Sequence, residues 1–196
     1  VAHFFGPYAY RSPFHSSSDA EEGQRALEHL EQTIILEGAS TIAAIILETV
    51  VGTNGVLIPP PGYLAGVREL CDRFGIVYIA DEVMVGFGRM GEWFAFDAHD
   101  VAPDLITFAK GVNSGYVPLG GVIISDAIAA HFDNTAFPGG LTYSGHPLAV
   151  AAGVYMVLAA WRVGLKLQKE AVWLVLYVLL AIVWMGIAAF DKSRWN

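Results

Sequence analysis

Four short uncharged runs constrain the fold most tightly: Thr41–Leu47, Ile76–Ala80, Leu105–Phe108 and Gly121–Ile124. Each is too short to be a buried helix. Each also lacks the apolar–polar alternation of a strand with one wet face, so it reads as a strand buried on both faces. The stretches around them have a different period. Ser18-Asp19-Ala20-Glu21 has the spacing of a capping box, and Ala26, Leu27, Leu30, Ile34 and Ile35 then recur at helical spacing. This predicts an amphipathic helix over residues 19–37 that ends near Gly38. Tyr63–Phe74 predicts a second helix, closed by Gly75 in a left-handed cap. Gly52–Gly62, which contains Pro59-Pro60-Pro61, reads as a loop. Apolar strands alternating with helices predict an α/β domain built on a mainly parallel sheet with helices on both faces. Ligands bind such sheets at the carboxyl ends of the strands. The charged residues expected there are Glu48, Asp81, Glu82 and Lys110.

A chain of 196 residues is long enough for one domain with a real core. Hydrophobic residues make up 55% and charged residues 15%, an apolar balance for a soluble domain. The excess is concentrated in Ala171–Phe190, twenty residues without a charge, flanked by Lys166, Lys169 and Glu170 on one side and Asp191, Lys192 and Arg194 on the other. That length predicts an apolar helix able to span a bilayer, with burial in a larger domain as the alternative. The net charge of -8 offers no basic patch for nucleic acid. The single cysteine, Cys71, allows no internal disulfide, and the first residues do not form a basic-then-apolar leader. The expected location is cytoplasmic, with membrane contact through residues 171–190. The six histidines show no metal-ligand spacing, so no metal site is expected.

Three segments carry the chemical signal. The first is Ile76-Val-Tyr-Ile-Ala-Asp81-Glu-Val-Met-Val-Gly-Phe-Gly-Arg-Met-Gly91. The second is Pro103-Asp-Leu-Ile-Thr-Phe-Ala-Lys110-Gly-Val-Asn-Ser-Gly-Tyr-Val-Pro-Leu-Gly-Gly121, and the third is Gly140-Leu-Thr142-Tyr-Ser-Gly-His-Pro147. Taken singly, an Asp at a strand end is ordinarily a turn former, a Lys is ordinarily solvated and a Thr is a loop hydroxyl. Lys110 is already unusual, because it comes after an apolar strand and sits between Ala109 and Gly111. In order and spacing, the three segments resemble the aspartate, lysine and phosphate-loop threonine motifs of the class III (ω-amino acid and amine–pyruvate type) aminotransferases, which depend on pyridoxal 5'-phosphate. The resemblance spans about residues 1–153; residues 154–196 do not match it.

The resemblance implies the large-domain core of a fold type I pyridoxal-phosphate transferase, working as a homodimer. It makes Lys110 the Schiff-base lysine and then the acid and base of the proton shift, and Asp81 the partner of the pyridinium nitrogen. Val83, two residues on and expected on the same strand face, would pack against the ring. Thr142 would give its hydroxyl to the phosphate of the neighbouring subunit's cofactor. The implied reaction moves an amino group from an ω-amino acid or amine to a 2-oxo acid such as pyruvate. Aminomutases and decarboxylases of the same family share these motifs. A non-catalytic, membrane-tethered fragment that binds the cofactor is a further alternative.

The family's glycine- and serine-rich phosphate cup is expected upstream of residue 1, and its small domain beyond residue 153. Glu48-Thr-Val-Val-Gly-Thr53-Asn-Gly stands where many relatives carry Glu-Pro-x-x-Gly-Glu. Thr53 in place of the second Glu leans towards the branch using pyruvate with taurine, β-alanine or simple amines. Gly86-Phe-Gly88-Arg-Met-Gly91 also fits a dinucleotide fingerprint, but that fingerprint needs a following helix and an acidic residue about 20 positions on after a second strand, and the adjoining Glu92-Trp-Phe-Ala-Phe has no helix cap. Ser144 lacks the strand–turn–helix setting of a nucleophile elbow.

Overall fold

The computed structural model describes residues 1–164. The apolar helix expected at 171–190 lies outside them. The chain divides into two compact units between Ser144 and Gly145. The first contains, in order, α1 (Asp19–Glu37), β1 (Ala44–Glu48), α2 (Tyr63–Phe74), β2 (Val77–Asp81), β3 (Leu105–Phe108), β4 (Gly121–Ile124) and the short α3 (Asp126–His131). The second begins with α4 (Pro147–Gly164), and residue 153 lies inside that helix.

The helix limits reflect local chemistry. Ser18 caps α1 by accepting a hydrogen bond from the Glu21 amide at 3.2 Å. Gly75 ends α2 in the left-handed region, φ 67°, where a side chain would be strained. At the head of α1 the fully buried Glu22 carboxylate takes bonds from the Ser12 and Ser16 hydroxyls and from the Tyr8 amide, tying the irregular opening segment to the helix. Burial alone would raise the Glu22 carboxyl, but those donors hold it below its ordinary value.

The strands form one sheet in the order β1-β2-β3-β4. The first three are parallel, and β4 returns antiparallel to β3. The register sorts the side chains onto two faces. Ile45, Tyr78, Ala80 and Ile106 lie on one face with Leu30 and Ile34 of α1 and Leu64, Val67 and Cys71 of α2, and these make the core. The other face is only partly covered within this unit: Ile46 is 56% exposed and Val122 52%, whereas Ile79, Leu105 and Thr107 between them are half-buried. Within the first unit the expected helices on both faces are therefore met on one face. Uniformly apolar strands show that both faces can be buried, without saying what covers each.

No helix among the described residues is long and apolar enough to cross a membrane.

Candidate functional site

The carboxyl end of the sheet holds the site. Glu48 is in register with Asp81, Asp81 with Thr107, and Thr107 with Val122. Side chains in register on adjacent strands share a face, with the strands roughly 4.8 Å apart. Glu48, Asp81 and Thr107 thus form one polar row on the face opposite the helices. The Glu48 carboxylate closes the turn after its own strand, accepting from the Gly52 amide at 2.9 Å. Beyond it, Val51 and Leu57 pair in a small hairpin, with Thr53 exposed in its connecting turn.

Asp81 is the last residue of β2. Its Oδ1 accepts from the Val83 amide at 3.0 Å, so the side chain itself starts the turn. This corrects the expectation for Val83, which lies in that turn rather than on the strand. The local reason is that an Asp side chain competes for the amide two residues on and pulls the chain out of the ladder. Glu82, between them, points inward and is fully buried. Its carboxylate accepts from the Thr49 hydroxyl and from the Ala95 amide at 2.8 Å, joining the turn after β1 to the 3-10 turn Ala95–His99. Burial pushes the Glu82 carboxyl above its ordinary value, against the bonds from Thr49, Ala95 and Phe96 that favour the charged form. An acid raised by folding contributes stability below its unfolded pKa and loses it as pH rises through the folded pKa. The melting temperature of Glu82→Gln minus that of the unmodified chain should therefore grow more positive from acid to neutral pH. A difference that shrinks with pH would mean that the charged form is the favoured one.

Lys110 lies two residues past the end of β3 and opens a short 3-10 turn, Lys110–Val112. It is exposed, and its φ of 41° is in the left-handed region, rare for a side chain of this length. The loop around it is fixed on both sides. Asn113, buried, donates through Nδ2 to the Val117 carbonyl at 2.8 Å and accepts through Oδ1 from the Gly115 amide at 3.0 Å. A Cβ on Gly111 would lie 2.7 Å from the Gly86 carbonyl oxygen, so the loops after Asp81 and before Asn113 pack backbone against backbone. Phe87, from the first loop, sets its ring edge-on to Phe108 of β3 at 5.4 Å. The fold thereby fixes the lysine loop to the aspartate loop. Gly111→Ala should lose about 1–3 kcal/mol in urea unfolding, the usual cost of overpacking. Gly6→Ala is the control, because a Cβ there meets nothing within 4 Å.

Thr142 is exposed in the turn before α4 and belongs to the first unit. The glycine-rich segment 86–91 is a turn succeeded by a 3-10 turn, without the helix that a dinucleotide loop requires.

Two residues of the site carry little or no signal in the sequence. Thr107 is the one polar residue in β3, and its Oγ1 is buried with no hydrogen-bond partner among the described residues. Asn113 carries a local sign, Asn two residues before Gly, but that pattern marks any tight turn.

Residues 3–174 match the family model described as aminotransferase class-III. The chain is 43% identical over 155 residues to putrescine–pyruvate aminotransferase of Pseudomonas aeruginosa, covering 79% of this chain and 34% of that protein. It is 48% identical over 139 residues to an omega-aminotransferase of Caulobacter vibrioides, covering 68% and 32%. Among solved structures, the (S)-enantioselective omega-transaminase of Thermomicrobium roseum superposes with a TM-score of 0.75 at 44% identity, over 83% of this chain and 37% of that one. Taurine:2-oxoglutarate aminotransferase of Bifidobacterium kashiwanohense, solved with PLP and glutamate, gives 0.74 at 50% identity, over 78% and 34%. The chain thus spans about a third of the length of these relatives.

Proposed function

The chain belongs to the class III aminotransferase family, and on that premise we propose that its polar row holds pyridoxal 5'-phosphate and serves the transfer of an amino group from an ω-amino acid or amine to a 2-oxo acid such as pyruvate. The observation that carries this reading is the pairing of Asp81 and Lys110 at the carboxyl ends of neighbouring parallel strands, with their loops packed together through Gly86 and Gly111. The partnerless Thr107 hydroxyl beside Asp81 fits a polar group seated on the open face.

When bound, the cofactor supplies an aldehyde for amines and a ring that takes up electrons from the substrate carbon. The rest is the work of the chain. Lys110 would supply the primary amine that links to the aldehyde and, when freed from it, the base and acid that takes and returns the substrate proton. The left-handed backbone at Lys110 and the bonds from Asn113 to Val117 and Gly115 fix the loop that carries that amine. Asp81 keeps a proton on the ring nitrogen through a charged hydrogen bond. Val83, presented by the turn that Asp81 starts, lies against a ring face. Thr142 would donate to the cofactor phosphate held by a second copy, the working form then being a homodimer. Relatives named for putrescine with pyruvate and for taurine with 2-oxoglutarate support amine or ω-amino-acid donors and a 2-oxo acid acceptor.

Incubation of the chain with pyridoxal phosphate, borohydride reduction and peptide mapping tests the assignment. The pyridoxyl group should be found on Lys110, and another lysine, or none, overturns the reading. Product analysis with and without pyruvate tests the reaction class, because a transaminase needs the acceptor and a mutase does not.

A further inference from the structure

Thr107 is out of place on ordinary stability grounds. A buried hydroxyl without a partner costs about as much as a hydrogen bond contributes, and valine fills the same volume with a better strand preference. Yet Thr107 stands in a strand otherwise made of Leu105, Ile106 and Phe108, with its Oγ1 out of contact with solvent. Unpaired polar groups of this kind need an explanation, and one such explanation is a partner that arrives with a ligand.

The register says what lies within reach. Thr107 is the residue of β3 directly paired with Asp81, and both side chains lie on the face opposite α1 and α2. On its other side it pairs with Val122, which has no polar side-chain atom to offer. The Asp81 carboxylate already accepts one hydrogen bond, from the Val83 amide. A carboxylate has acceptor sites for several more, and a threonine hydroxyl turns about its Cβ to meet one.

We propose that Thr107 is a positioning residue for Asp81: with the cofactor seated, its hydroxyl donates to the Asp81 carboxylate and holds it in line with the ring nitrogen. The inference rests on the roles proposed for Asp81 and Lys110. With no partner for it among the described residues, the buried hydroxyl is a cost to folding, so its effects on stability and on ligand binding should have opposite signs. A purely structural threonine would give them the same sign.

The test uses the full chain, pyridoxal phosphate as the probe and the variants Thr107→Val and Thr107→Ser. Thr107→Val should melt at the same temperature as the unmodified chain or higher. Its dissociation constant for pyridoxal phosphate should rise about tenfold to a hundredfold, as for loss of a hydrogen bond to a charged group. Thr107→Ser, which keeps the hydroxyl, should bind within a few-fold of the unmodified chain. Unchanged binding by Thr107→Val overturns the inference and leaves the Lys110 assignment standing. Weaker binding that serine does not restore also overturns it, because lost shape rather than the lost hydroxyl would then be the cause. If the unmodified chain itself places no pyridoxyl group on Lys110, the functional reading and this inference fail together.

Discussion

Lys110→Ala should remove all borohydride-stable pyridoxyl label from the chain and all amino transfer with it. The expected loss is complete because only a primary amine can make the covalent link and then carry the proton, and alanine has neither function. The same substitution has little reason to disturb folding. Lys110 is exposed and holds a positive φ that costs alanine as much as lysine. Circular dichroism melts of the two proteins should therefore agree to within about 0.5 kcal/mol of stability, the usual range at surface positions. Label retained by Lys110→Ala on a neighbouring lysine would show that the site lies elsewhere.

Asp81→Asn should lower the rate of amino transfer by roughly a hundredfold to a thousandfold, about 3–4 kcal/mol of barrier, as when a preorganised charge partner is lost. Asparagine keeps the oxygen that accepts from the Val83 amide, so the turn after β2 and the fold survive. The loss should be confined to the negative charge proposed to keep the ring nitrogen protonated. Single-turnover conversion of an amine donor, monitored by absorbance, separates this from weaker binding, since the rate at saturating cofactor is the quantity affected. A near-normal rate in Asp81→Asn would remove Asp81 from the mechanism. These two effects exceed that of Thr107, which acts only through Asp81.

The sequence and the structure divide the explanation between them at identifiable residues. Helical spacing from Ala26 to Ile35, the Ser18 cap and Gly38 determined α1, and Gly75 determined the end of α2, because capping and amphipathic period are local properties of the chain. The apolar runs determined four strands, with β1 beginning at Ala44 rather than Thr41 because Ala39–Thr41 closes into a 3-10 turn. The order of Asp81, Lys110 and Thr142 was enough to suggest the family. Only the tertiary structure decided which residues stand side by side. Glu48, Asp81 and Thr107 are separated by 33 and 26 positions in the sequence, and their row exists because parallel ladders align them. The inward turn of Glu82 and the setting of the Lys110 loop likewise depend on partners far along the chain: Thr49 and Ala95 for Glu82, Gly86 against Gly111 for the lysine loop. Local period fixes the face a residue occupies within its own strand. Its neighbours across the sheet are set by long-range hydrogen bonds and close packing, which no short window of sequence contains.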